Sequence, residues 1–209
     1  FLMAAGATGR PSAASGIARI VRRELSTYLG TRAGWVFMGL TLMFGGVAFN
    51  VFAVGKGAQF SADVMGEFFY NFSGVMIAAG YLVSLRSIVE ERKSGTLPLL
   101  MSSSLTEGEI IIAKYLAQMS FLGIVLLISV YIPALVFIRG KVSFGHIAVG
   151  YLGVLLLCSA VVAIGTWASS IAKGWLIAGA VSLVTLALFV LWWQIARAVD
   201  GPMRDVLEA

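Results

Sequence analysis

Few residues in this 209-residue chain can do chemistry, and one cluster of charges stands out among them. Glu90, Glu91, Arg92 and Lys93 stand side by side, and Gly95, Thr96, Leu97, Pro98, Leu100 and Met101 follow at once. Two carboxylates next to two cations can pair ions and dock a partner, but they cannot make a nucleophile without a base beside it. His146 is the only histidine and Cys158 the only cysteine. Neither a convergent metal set nor a disulfide framework can be built from them. No HExxH, GxSxG or GxxxxGK[ST] pattern occurs, so no enzymatic chemistry and no cofactor is expected on this chain. One more carboxylate is oddly placed. At about 100° per residue, Glu24 falls in the middle of an apolar arc made by Ile20, Val21 and Tyr28. Two placements fit it: a wet position at the headgroup boundary, or an ion pair to another cytosolic element, since an unpaired charge on an apolar face is costly.

The elements that must position these groups are set by hydropathy. Apolar residues make up 59% of the chain, there are 24 glycines besides, and charged residues are only 12%. Soluble domains are about a quarter charged. Five runs carry no ionisable side chain: Ala33–Val54, Phe68–Leu85, Tyr115–Ile138, Ile147–Ala172 and Gly174–Ala196. About 20 apolar residues cross a hydrocarbon core of roughly 30 Å. The reading is therefore an all-α polytopic membrane protein with spans at about 33–54, 68–88, 110–138, 146–172 and 174–196. Residues 1–15 read as a mobile tail. Residues 16–32 read as an amphipathic interfacial helix, with Arg19, Arg22, Arg23, Ser26 and Thr27 opposite the apolar arc. Residues 33–209 form the transmembrane domain. Pro133 is expected to kink the third span.

Charge sets an expected orientation. With the N-terminus inside, the inner segments hold Arg10, Arg19, Arg22, Arg23, Arg32, Arg86, Arg92, Lys93, Lys114 and Lys173. The outer ones hold Lys56, Arg139, Lys141, Arg197 and Arg204. The positive-inside bias then puts the N-terminus in the cytoplasm. The net charge of +5 is a topology signal, and nucleic-acid binding is excluded because no soluble domain carries a basic stripe. Charge-free spans also argue against an ion-coupled transporter, which places ionisable groups mid-membrane.

Residues 89–109 form the cytosolic loop between spans two and three. Gly95 suits a helix end, Thr96 an N-cap, and Pro98 a first turn. Leu97, Leu100 and Met101 then share one side of a short helix. Thr106-x-x-Glu109 is a capping box that would start the next helix, and Ser104-x-x-Glu107 competes with it. The short helix either docks a protein partner or dips its apolar side into the headgroups. Near the outer half of the first two spans, Asn50, Tyr70 and Asn71 are candidates to line a path, or else satisfy one another.

The stretch "EERKSGTLPLLMSSSLTEGEIIIAK" resembles the segment between the second and third spans of ABC-2-type exporter permeases. "GYLGVLLLCSAVVAIGTWASS" (Gly150–Ser170) and "RRELSTYLGTRAGWVF" resemble the gliding-motility and nitrous-oxide-reductase maturation branch of that family. The loop departs from the family pattern at Pro98 and Ser102–Ser104. The resemblance implies a permease subunit of an ATP-driven exporter, with a sixth span beyond Ala209 and a location in the prokaryotic inner membrane. It also implies that the short helix is a coupling helix docked on a separate ABC ATPase subunit, in two copies, with a second or related permease alongside. ATP and Mg would bind the ATPase. Glu90, Glu91, Arg92 and Lys93 would then face the ATPase, Gly95, Thr96 and Leu97 would turn into its groove with Leu100 and Met101, and Glu24 would pair with Arg92, Lys93 or Arg86. The rival reading is a non-transporting membrane anchor that docks a cytosolic partner.

Overall fold

A computed structural model describes residues 13–54, 61–86, 106–136, 144–172, 174, 176–188 and 191, and no strand occurs among them. The architecture is all-α, as the hydropathy pattern requires. Helix α1 (Ala13–Gly30) is followed by α2 (Arg32–Ala48), which continues as a π-helical turn over Phe49–Val54. Then come α3 (Ser61–Arg86), α4 (Glu107–Ser129), α5 (Tyr131–Val136), α6 (Phe144–Ile171) and α7 (Leu176–Leu188). Four stretches are long and apolar enough to cross a bilayer: Arg32–Val51, Val64–Leu85, Glu107–Ala134 and Phe144–Ile171. The fifth expected span is described as the 13-residue helix α7; most of its remaining length lies outside the described residues.

Helix α1 already includes Ala13–Ser15, which the sequence assigned to the tail. The small residues there do not oppose a helix, and Arg19 Nε donates to the Ser15 carbonyl, 3.2 Å away. Helix α3 also starts well before the charge-free run at Phe68. Glu67 ends that run but not the helix, because a carboxylate one or two turns from the end of a span still reaches the interface.

The third span breaks where proline chemistry says it should. Pro133 has no N–H to give the Ser129 carbonyl, and its ring clashes with that carbonyl. Helix α4 accordingly stops at Ser129, Val130 forms a turn by donating to Leu127 O, and α5 resumes with Ala134 N–H bonded to Val130 O.

In a bilayer, side chains gain little by leaving lipid for protein, so helices are held by close packing and polar contacts. The core runs between α3, α4 and α6, with Phe68, Phe72, Phe121 and Leu122 each no more than 1% exposed. Phe68 stacks on Phe72 at 5.1 Å and meets Phe49 edge-on at 5.7 Å, which ties the π-helical turn to α3. Glycines admit the closest approaches. A Cβ on Gly165 would overlap the Ser84 side chain, and one on Gly150 would overlap the ring of Phe69. The α4–α6 contact adds hydrogen bonds between Tyr115 OH and Ser159 Oγ (2.7 Å) and between Ser129 Oγ and Tyr151 OH (3.1 Å). Helix α7 rests on α3, where Tyr81 OH donates to Gly179 O at 3.0 Å. Elsewhere large apolar side chains such as Trp35, Phe44, Leu156 and Leu183 stay exposed, a surface suited to lipid.

Candidate functional site at the junction of α1 and α4

The amphipathic helix α1 packs on the first half of α4, and the contact is built from three layers. Lowest in sequence is the charged one. Glu24 Oε1 accepts from Lys114 Nζ at 3.2 Å. The Lys114 side chain is 3% exposed and that of Glu24 22%. One turn further along α1, Tyr28 stacks on Phe121 of α4 with ring centroids 5.1 Å apart. Phe37 of α2 then leans on the same Phe121 ring at 6.0 Å. Local sequence explains the register. On α4, Ile110, Ala113, Lys114, Ala117, Gln118 and Phe121 recur at the three- and four-residue spacing of a single face, and all are buried. On α1, Glu24 and Tyr28 are four residues apart on the apolar arc.

The start of α4 is fixed by its cap. Thr106 N–H donates to Glu109 Oε2 at 2.7 Å, and Glu109 N–H donates to Thr106 Oγ1 at 3.4 Å. Of the two competing boxes, the one at Thr106 forms; Ser104 of the other lies outside the described residues. The other end of α1 is fixed as firmly. Only Thr31 separates α1 from α2; its side chain caps Gly34 N–H, and the indole N–H of Trp35 donates to Leu29 O at 2.6 Å. A Cβ on Gly34 would collide with the Tyr28 carbonyl, so this turn requires glycine there.

Of the residues singled out from sequence, Glu24 sits in this junction with Lys114. Lys114 was counted as an inner-side charge and not as a partner. Its signal was its register: it lies four residues after Ile110 and four before Gln118, inside the buried stripe. The three partners proposed for Glu24 are not described at side-chain level: Arg92 and Lys93 lie outside the described residues, and Arg86 is described by its backbone alone. Glu90, Glu91, Gly95, Thr96, Leu97, Leu100 and Met101 also lie outside them. Asn50 is exposed on the π-helical turn, and the Tyr70 side chain is 79% exposed. Asn71 is half-buried and spends its amide on its own helix, donating from Nδ2 to Glu67 O at 2.8 Å. Among the described residues no group of His, Cys, Asp or Glu is arranged to hold a metal ion.

The junction therefore has no nucleophile and no ligand set. What it does is join α1 to a membrane-spanning helix through an ion pair and an aromatic stack. A family model described as "ABC-2 family transporter protein" matches residues 26–205, from the second half of α1 to beyond α7. No curated protein matches the chain.

Proposed function

From the membership of this chain in the ABC-2 transporter family, which makes it a multi-pass membrane permease of an ABC transporter working with an ABC ATPase, we propose a specific way in which the two are coupled. Residues 89–109 dock on the ATPase, with Leu97, Leu100 and Met101 as the apolar side of a coupling helix and Glu90, Glu91, Arg92 and Lys93 around it. Nucleotide and Mg bind the ATPase, and two ATPase copies act on two permease copies or on related permeases. The chain sits in the inner membrane with its N-terminus in the cytoplasm, and cargo moves outward. The likeness of Gly150–Ser170 to gliding-motility and nitrous-oxide-reductase maturation permeases favours that branch.

The observation that carries this reading is the α1–α4 junction. Helix α4 begins at Glu107, at the very end of the proposed docking segment. Its second turn holds Lys114, and Lys114 holds α1. A displacement of the docking segment by ATP-driven closure is passed to α4 through the Thr106–Glu109 cap, and from α4 to α1 and α2 without a flexible joint. Asn50 and Tyr70, exposed near one end of the first two spans, fit a path shared with a second permease, where their polar groups meet cargo or water instead of lipid. Asn71 is bonded within α3 and plays at most a minor part there.

The test is a double substitution, Leu97→Asp with Leu100→Asp, scored by ATPase co-purification and by membrane insertion. Insertion should be normal and co-purification lost; normal co-purification would overturn the docking assignment. ATP-driven flux in reconstituted vesicles separates the permease from a non-transporting anchor, which would bind the ATPase and move nothing.

A further inference from the structure

Helix α1 gives one face to the bundle and turns the other away. Ile20, Val21, Glu24 and Tyr28 are half-buried, while Arg19, Arg22 and Arg23 are exposed. At about 100° per residue, the three arginines fall within an arc of roughly 100°. The charge balance of this face is one-sided. The one carboxylate on α1, Glu24, is turned inward and taken up by Lys114. Among the described residues no carboxylate pairs with the three guanidiniums. The hydroxyls that share the face donate to the chain itself: Ser26 Oγ to Arg23 O at 2.7 Å, and Thr27 Oγ1 to the same oxygen at 3.0 Å. What the face offers outward is guanidinium donors, which suit phosphate, an acceptor-only group that guanidinium meets in a bidentate fork.

The covalent path says where that phosphate would be. Helix α2 is the first membrane-spanning helix and begins two residues after α1 ends. The last turns of α1 therefore lie at the bilayer surface. Trp35, 60% exposed and bonded through its N–H to Leu29 O, sits at that level, as interfacial tryptophans do. We propose that Arg19, Arg22 and Arg23 bind the phosphate groups of anionic phospholipids in the leaflet that carries α1. The surface thus selects a lipid class, and this holds whatever the permease transports.

The expected size follows from the worth of a basic side chain near an anionic surface, about 1 kcal/mol, or about fivefold in affinity for each. Native mass spectrometry of the full chain in detergent would be used to count phosphatidylglycerol retained against phosphatidylcholine. The wild type should prefer phosphatidylglycerol, and the preference should shrink as salt is raised. Arg19→Gln, Arg22→Gln and Arg23→Gln together should weaken phosphatidylglycerol binding by roughly 100-fold. The matching triple lysine variant should stay within a few-fold of the wild type. Equal retention of the two lipids by the wild type would overturn the proposal, and that result does not depend on how any variant folds. So would an unchanged preference in the glutamine variant. Loss of ATPase co-purification with lipid preference intact would assign the face to a protein surface instead. Displacement of phosphatidylglycerol by inorganic phosphate at comparable concentration would reduce it to a free-anion site.

Discussion

The Glu24–Lys114 pair can be weighed by a double-mutant cycle. At 3.2 Å, two unit charges attract by about 5 kcal/mol if the effective dielectric constant is about 20. Most of that is offset by removing Lys114, 3% exposed, from water. The cost of breaking the pair therefore depends on which partner is left. Glu24→Gln leaves the buried Lys114 ammonium facing a neutral amide in place of a carboxylate. Losing one partner of a fully buried pair costs about 3–5 kcal/mol, and of an exposed pair about 0–1 kcal/mol. Glu24 is 22% exposed and lies between these limits, so about 2–3 kcal/mol is expected. Lys114→Met leaves a carboxylate that water already reaches and puts an apolar side chain among Ala113, Ala117 and Ile110, so about 1 kcal/mol is expected. The double variant replaces the pair by groups that need no counter-charge and should lie within about 1 kcal/mol of the wild type. The coupling energy is then about 3 kcal/mol, the two single costs less that of the double variant. Thermal unfolding in detergent reads it: for a chain of this size, 1 kcal/mol moves Tm by about 2–4 °C. Glu24→Gln should lower Tm by roughly 4–12 °C, and adding Lys114→Met should return most of it. Strictly additive effects, or a Glu24→Gln variant as stable as the wild type, would refute the idea that this pair clamps α1 to α4.

Two further outcomes follow from the bundle interior. Gly165→Ala places a methyl on the Ser84 side chain, so it should cost about 1–3 kcal/mol by overpacking, and Ser84→Gly in the same chain should recover part of the loss in a detergent melt. Tyr115→Phe removes the hydroxyl that bonds Ser159 between α4 and α6. An average interhelical hydrogen bond in a membrane protein is worth about 0.6 kcal/mol, so its Tm should fall by no more than about 3 °C; a larger drop would mean that this bond anchors more than two side chains.

The spans could be read from sequence because hydrocarbon imposes a simple rule: a charge-free run of sufficient length must be a helix. The break at Ser129 was equally legible, since Pro133 acts at a fixed distance from itself. Glu24 could be recognised as anomalous from α1 alone, because one helix defines its own apolar arc. Its partner could not. Pairing α1 with α4 joins residues 90 positions apart, and periodicity within a helix says nothing about which helix it faces. Lys114 was hidden for a second reason: a lysine at the end of a span reads by default as snorkelling to the interface, and only the burial of Ile110, Ala117 and Gln118 around it shows that it points inward. The overlap of Gly165 with Ser84 was beyond reach for the same cause, since a glycine in a glycine-rich span has no visible partner until the helices are placed.

The turn at Thr31 has a mechanical meaning. Its cap, the indole bond of Trp35 and the fit of Gly34 under the Tyr28 carbonyl leave no slack between the two helices it joins, so they move as a bent rod. The arm within the membrane, Arg32–Val51, has 20 residues and is about 30 Å long at 1.5 Å per residue. A rocking of the surface arm by about 10° would carry the far tip of that rod sideways by about 5 Å. A small tilt at one face of the bilayer thus becomes a side-chain-sized opening at the other, with no need for either helix to bend or unwind.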